Sequence, residues 1–179
     1  MTCIIGYEHK GKVYIGGDSA GVSRYDMRII VNSKVFRNGP IICGFTSSFR
    51  MGQILQYSFS VPKQGRESDH KYLCTKFIDK LIKCFTNKKF AKEENNEVTG
   101  GTFMLGYKGK LYRVESDFNI TRIDLGYEAC GCGEDYAMGA MGVLHEIKDL
   151  TPEQKITKAL EIAESLSAGV HRPFNIISI

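Results

Sequence analysis

MTCIIGYEHKGKVYIGGDSAGVSRYDMRIIVNSK, residues 1–34, is the stretch whose reading decides the fold. Thr2 directly follows the initiator methionine, Asp18 ends the first hairpin, and Lys34 comes sixteen residues after the aspartate. Methionine aminopeptidases remove Met1 readily when a small residue follows it, and threonine is small. The mature chain then starts with a hydroxyl and a free α-amine on one residue, a nucleophile that carries its own base. If Met1 stays, that nitrogen is an amide and cannot act as a base.

The rest of the chain extends this opening as strands, helices, strands, helices and a strand. Cys3-Ile4-Ile5-Gly6-Tyr7 and Val13-Tyr14-Ile15 flank the polar turn His9-Lys10-Gly11-Lys12, a hairpin signal. Arg28-Ile29-Ile30-Val31 and Lys34-Val35-Phe36 bracket Asn32-Ser33, which reads as a second tight turn, and Ile41 to Phe45 reads as a buried strand. A loose helical pattern runs from about Ser48 to Phe59 through Phe49, Ile54, Leu55 and Tyr57. A clearer helix places Leu73, Phe77, Leu81 and Phe85 on one stripe, widened by Cys74, Ile78 and Ile82. Asn95-Asn96 reads as the close of a polar loop.

Strands resume at Thr102–Tyr107 and, after the turn Lys108-Gly109-Lys110, at Leu111–Val114. Short strands near Ile120–Ile123 and Glu128–Cys130 lead into Gly131-Cys132-Gly133. A small-residue helix from Tyr136 to Met141 follows, and Gly139 and Gly142 suggest close packing against another element. Thr151-Pro152-Glu153-Gln154 carries a capping box with proline at the first helical position, and Ile156, Ala159, Leu160, Ala163 and Leu166 form the buried face. Gly169 is expected to end that helix in a left-handed conformation, and Phe174–Ile179 reads as a final strand. The pattern, free of repeats and linkers, predicts an α+β chain of one domain, 1–179. Its two antiparallel sheets are flanked by helices in a four-layer αββα sandwich.

Composition narrows the function. With 24 basic and 20 acidic residues the net charge is +4, without the concentrated footprint of a nucleic-acid surface. Lys88-Lys89-Phe90-Ala91-Lys92 runs into Glu93-Glu94 and reads as a solvated helix end and loop. No stretch reaches the roughly 18 apolar residues of a membrane span, and no signal peptide is evident, so a cytoplasmic location is expected. The cysteines (Cys3, Cys43, Cys74, Cys84, Cys130, Cys132) mostly lie in apolar stretches and read as buried reduced thiols. Cys130-Gly-Cys132 lacks zinc-ribbon spacing. His9, His70, His145 and His171 have no partner at metal-ligand or triad spacing. Singly, Thr2, Asp18 and Lys34 read as an ordinary second residue, a turn residue and a solvated strand end. Their joint order and spacing is what carries the signal.

Those residues, with Gly17-Asp18-Ser19, Ile42-Cys43-Gly44-Phe45 and Gly131-Cys132-Gly133 before Tyr136-Ala137, resemble the proteasome β-type N-terminal-nucleophile (Ntn) hydrolases, closest to the bacterial HslV-like threonine peptidases. The resemblance runs end to end. It implies a threonine endopeptidase in which Thr2 Oγ attacks a peptide carbonyl, its α-amine is the base, Lys34 tunes that amine, and Asp18 holds Lys34. The Gly44 amide is implied as an oxyanion donor, with glycine allowing close approach of substrate. A peptide is implied to bind as an added strand between the segments around Gly21-Val22 and Gly44–Thr46. Gly21, Asn32, Phe36, Ile42 and Thr46 are implied around the pocket for the residue preceding the cut, an uncharged lining suited to apolar or small side chains. Where the family usually has serine this chain has Cys132, a poorer hydrogen-bonding partner expected to slow proton transfer. Where many proteasome subunits carry aspartate it has Ser167.

No cofactor is implied as required. Bacterial relatives can hold a monovalent or divalent cation on backbone carbonyls matching Glu164, Ser167 and Val170. The implied partners are further copies of the chain in a ring, a peptide or protein substrate, and an AAA+ ATPase able to feed it. Nucleic acid and membrane are not implied. Two alternatives keep the same fold: a catalytically inactive ring or scaffold subunit, favoured if Met1 is retained, and an Ntn amidase acting on a small molecule.

Overall fold

The computed structural model describes residues 1–94 and 97–179; Asn95-Asn96 lies outside the described residues. The first sheet orders β12 (Tyr127–Gly131), β1 (Cys3–His9), β2 (Lys12–Gly17) and β13 (Asn175–Ser178). The second orders β11 (Ile120–Thr121), β10 (Lys110–Val114), β9 (Phe103–Tyr107), β6 (Ile41–Phe45) and β5 (Val35–Asn38), and every pairing in both sheets is antiparallel. The β1–β2 and β9–β10 hairpins turn through Lys10-Gly11 and Lys108-Gly109, both with two positive φ angles, the geometry that matches strand twist. The two turns stack, Gly109 lying against the Gly11 carbonyl.

Ile4, Val13, Ile15, Val35, Ile42, Met104, Leu111 and Cys130 fill the space between the sheets. Helices α4 (Glu134–Leu144) and α5 (Pro152–Leu166) cover the outer face of the first sheet, burying Ala137, Met141, Ile156, Ala159, Leu160 and Ala163 with Cys3, Ile5 and Tyr7. On the outer face of the second, α1 (Phe49–Tyr57), α2 (Asp69–Tyr72) and α3 (Ile78–Asn87) build the largest cluster, with Phe77, Leu81 and Phe85 beneath Phe103 and Leu105. The result is the αββα sandwich. Among the described residues, no helix is long and apolar enough to cross a membrane.

Several local expectations change. Asn32-Ser33 does not join a hairpin: β4 (Asp26–Ile29) pairs back onto β3 (Ala20–Ser23), while β5 pairs forward onto β6. The strand predicted over 28–31 therefore ends at Ile29, and the segment up to Ser33 crosses to the other sheet. The second helix contains a π-helical turn, Leu73–Phe77, between α2 and α3. Apolar residues spaced by four drift around a 3.6-residue helix, and the wider turn absorbs part of the drift. Cys74 falls off the stripe and is exposed, as is Cys132; Cys3, Cys43 and Cys130 are buried. Gly139 opens into free space instead of marking a close approach. Gly169 has no positive φ, and α5 instead leaves into extended backbone at Ser167. The short strands β7 (Lys92–Glu94) and β8 (Glu97–Thr99) were not expected; their polar sequence shows no apolar alternation.

Leu81 is fully buried in the larger helix-layer cluster. Leu81→Ala is expected to lower unfolding stability by about 2–5 kcal/mol, read from the urea midpoint.

Candidate active site

Thr2, Asp18 and Lys34 meet where the first sheet's inner strands reach the second. Asp18 follows the last residue of β2, opposite the start of β1, and its own amide donates to the Cys3 carbonyl at 3.3 Å. Lys34 directly precedes β5. Its Nζ donates to Thr2 Oγ1 at 2.9 Å and to both Asp18 oxygens at 2.9 and 3.0 Å, using all three protons. The group is enclosed: Thr2 is 5 % exposed, Lys34 1 % and Asp18 0 %.

Asp18 is held by more than Lys34. The amides of Cys3 (2.9 Å), Ala20 (2.8 Å) and His171 (3.4 Å) donate to its carboxylate. Burial pulls the Lys34 ammonium below the ordinary lysine range, against the opposing pull of the Asp18 charge and hydrogen bonds. Burial also pushes the neighbouring Cys3 thiol far up, so it stays protonated, in keeping with a core role.

The turn after β12 holds Thr2 from the other side. Gly131 adopts φ +104°, and a side chain there would overlap the Thr2 carbonyl. The Thr2 N–H donates to Cys132 Sγ at 3.3 Å, and that thiol reaches the Thr2 carbonyl at 3.4 Å. Ser167 Oγ in turn reaches Cys132 Sγ at 3.5 Å. In this form Met1 is present and its carbonyl accepts from Thr2 Oγ1.

Gly44 takes a different place from the one expected. β6 is a central strand, with Phe45 N donating to Lys34 O at 3.1 Å and Thr46 N to Thr102 O at 3.2 Å. Antiparallel alternation between these bonds turns the Gly44 amide toward Met104 in β9. Its missing side chain faces Ile4 and Ile15 in the inter-sheet core, at 2.5 and 2.7 Å, so the glycine serves sheet packing and not substrate approach. Ile42 and Phe36 are likewise core residues, on the inter-sheet and helix sides respectively.

A small cavity of about 30 Å³ joins Thr2 to Phe45, Thr46, Ser47, Ser48 and Phe49. Ser48 caps α1 by accepting from Arg50 N and Met51 N. The amides of Ser47 and Phe49 have no acceptor among the described residues. They are the amides beside Thr2 that are free to bind a ligand. Ser47 sits at φ +67°, which no sequence signal announces. Phe45 and Phe49 also wall a neighbouring pocket of about 200 Å³ that includes Asn32, Ile30, Gln53 and Tyr57. Of the expected pocket residues, Asn32 lines this pocket and Thr46 lines the cavity at Thr2. Gly21 packs under Ile30, and Val22 pairs with Met27 within the β3–β4 ribbon.

Glu164, Ser167 and Val170 lie at the end of α5. The Ser167 carbonyl accepts Val170 N at 3.1 Å, and the Glu164 carboxylate binds Arg172 N and Nε at 2.8 and 2.9 Å.

The chain as a whole has similar proteins among those already known. The ATP-dependent protease subunit HslV of Caldicellulosiruptor saccharolyticus is 23% identical over 190 residues, covering 99% of this chain and 98% of that protein. The chain is HslV-like, with the Ntn-hydrolase fold. The structure of BPH from Thiobacillus denitrificans, solved alone and in complex with epoxomicin, superposes with a TM-score of 0.81 at 16% identity, covering 99% of this chain and 97% of that one. The HslV of Trypanosoma brucei gives 0.71 at 15% identity, covering 98% of both chains. No protein-family model matches the chain.

Two substitutions test the site. Gly131→Ala is expected to cost more than about 1 kcal/mol and to displace Thr2, since it adds both a strained φ and an overlap; urea unfolding reads the cost. Asp18→Asn leaves Lys34 buried without a counter-charge, a change that typically costs about 3–5 kcal/mol. A lysine whose folded value lies below its unfolded one binds fewer protons when folded, so stability rises with pH between the two values. The variant is therefore expected to be weakest below the folded Lys34 value and to recover as pH climbs toward about 10.4, the unfolded value. Urea midpoints across pH check this; a difference from wild type that does not change with pH contradicts it.

Proposed function

We propose that this chain is a threonine peptidase of the proteasome β and HslV type, acting as one catalytic domain, 1–179, once Met1 is removed. The observation that carries this reading is Lys34 Nζ, which bonds Thr2 Oγ1 and the Asp18 carboxylate at once. A charged Lys34 donating to Oγ1 lowers the cost of deprotonating that hydroxyl. Removal of Met1 exposes an amine at the Thr2 nitrogen, which already sits beside Cys132. A free α-amine titrates at about 7.7–8.0, and the Lys34 charge keeps more of it neutral.

The neutral amine takes the Oγ1 proton, directly or through a water, as the oxygen bonds to the substrate carbonyl carbon. The resulting oxyanion meets the Ser47 and Phe49 amides, which replace Gly44 in this role. Collapse breaks the peptide C–N bond, and the Thr2 ammonium returns its proton to the leaving amine. Water then hydrolyses the Thr2 ester with the amine again as base. The substrate peptide lies along the β3 edge near Gly21 and Val22. Its side chain before the cut enters the pocket walled by Phe45 and Phe49, whose Gln53 and Asn32 admit apolar or uncharged polar groups.

By likeness to HslV, the chain works in the cytoplasm in a homo-oligomeric ring fed by an AAA+ ATPase, and no cofactor enters the chemistry. A cation on the 164–170 backbone carbonyls belongs to the same likeness and takes no part in the steps above. The inactive-scaffold reading requires Met1 to be retained, because a Thr2 nitrogen held in an amide cannot act as the base. Intact mass of the natively produced protein separates the two readings.

The expected outcomes are a mass lacking methionine and hydrolysis of fluorogenic peptides but not of small acyl-amides. Epoxomicin, bound by the Thiobacillus BPH, should label Thr2. Thr2→Ala abolishes both hydrolysis and labelling, and Lys34→Met lowers kcat by about 10²–10³-fold. Cys132→Ser raises kcat by supplying a better hydrogen-bonding partner. A processed, folded protein that cleaves no peptide and takes no label contradicts the proposal.

A further inference from the structure

Far from Thr2, a cleft of about 660 Å³ opens between the β1–β2 turn and the loop joining α4 to α5. It lies at the other end of β1, about 17–23 Å along the strand from the nucleophile. Its most buried cation is Lys155, on the first turns of α5 and only 4 % exposed. Lys155 Nζ donates to the His145 carbonyl at 2.8 Å and lies 5.6 Å from the Tyr7 ring centre. Among the described residues no carboxylate comes within ion-pair reach of it. The contrast with Lys34 is direct, because that buried ammonium has a bidentate aspartate. A buried ammonium with spare protons and no counter-charge is costly unless an anion completes it.

The surroundings fit such an anion. Lys10 and Lys148 share the cleft with Lys155, and Asp149 is its one acid, leaving a formal charge of +2. His9 and His145 line it as well. His145 Nδ1–H donates to the Met141 and Gly142 carbonyls at 3.2 and 3.1 Å, which makes its Nε2 an acceptor and leaves the lysines as the donors of the cleft. Tyr7, Leu150 and Pro152 supply an apolar wall. A +2 cleft matches a dianion better than a single carboxylate, and its volume leaves room for an organic group beside one phosphoryl group.

From this we infer that the cleft binds a small phosphate monoester, its phosphoryl oxygens on Lys155 and Lys148 and its organic part against Tyr7. The site is independent of the peptidase chemistry at Thr2.

Isothermal titration of the full-length protein at constant ionic strength, with phenyl phosphate, inorganic phosphate and benzoate, tests it. Saturable binding is expected in the order phenyl phosphate, then inorganic phosphate, then benzoate, and it should be unchanged in Thr2→Ala. Lys155→Met should weaken phenyl phosphate by about tenfold or more while leaving the thermal midpoint no lower, since methionine keeps the stem and removes an unpaired charge. If Lys155→Met does not fold, Lys148→Gln and Lys10→Gln decide, each expected to weaken binding several-fold. Absence of saturable binding, equal binding to the folded variants, or benzoate matching phenyl phosphate overturns the inference. Inorganic phosphate binding as tightly as the ester overturns its organic half.

Discussion

The buried pair between Lys34 and Asp18 is the contact on which the rest of this molecule depends. An ammonium enclosed between two sheets is tolerated only with a partner of opposite charge whose remaining oxygen valences are also filled. Here the partner receives three backbone amides besides the lysine, from Cys3, Ala20 and His171. Those amides belong to the start of β1, the start of β3 and the segment leading to β13. Satisfying one charge therefore pins three distant pieces of chain, and the spare proton of the ammonium is left pointing at Thr2 Oγ1. The electrostatic demand of the interior and the polarisation of the nucleophile are met by the same atoms.

The residues of this group were legible because each sits at a strand end that the hydrophobic pattern marks. Thr2 precedes the first apolar run, Asp18 closes the second, and Lys34 opens the run Val35-Phe36. The same holds for the capping box at Thr151, which is a local pattern and forms as read. What failed to show depended on pairing between distant strands. Whether Gly44 offers its amide is decided by which neighbour β6 faces at that position, and a one-residue change of register reverses the answer. Asn32-Ser33 looked like a hairpin turn because it is flanked by apolar residues, yet partner choice, not turn chemistry, sends the two flanks to different sheets. Ser47 was missed for a related reason: its left-handed backbone is imposed by the junction of β6 with α1, and serine carries no local mark of it.

Cysteine at position 132 also becomes intelligible in this light. The turn is fixed by Gly131, whose absent side chain makes room for the Thr2 carbonyl, and the side chain of the next residue necessarily lands beside the Thr2 nitrogen. The backbone thus determines where the group sits, while its chemistry is free to vary. A thiol keeps the contact at lengths ordinary for sulfur, 3.3 Å to the nitrogen and 3.5 Å from Ser167 Oγ, but donates and accepts more weakly than a hydroxyl. The consequence falls on proton handling and leaves placement intact.

The two buried lysines show how one fold separates structural and binding uses of charge. Lys34 and Lys155 lie near opposite ends of the first sheet's central strands, one by the start of β1 and the other against Tyr7 toward its end. At the first end the chain supplies the counter-charge, so the ammonium is fixed and its field acts on a neighbouring oxygen. At the second the chain supplies only a carbonyl and an aromatic face, which satisfy geometry but not charge. A carbonyl leaves the net charge standing, and an aromatic quadrupole offsets only a small part of it. An anion entering the cleft supplies the charge that the chain leaves out. That reasoning, and not the size of the cleft, is what distinguishes the Lys155 site from an ordinary surface depression.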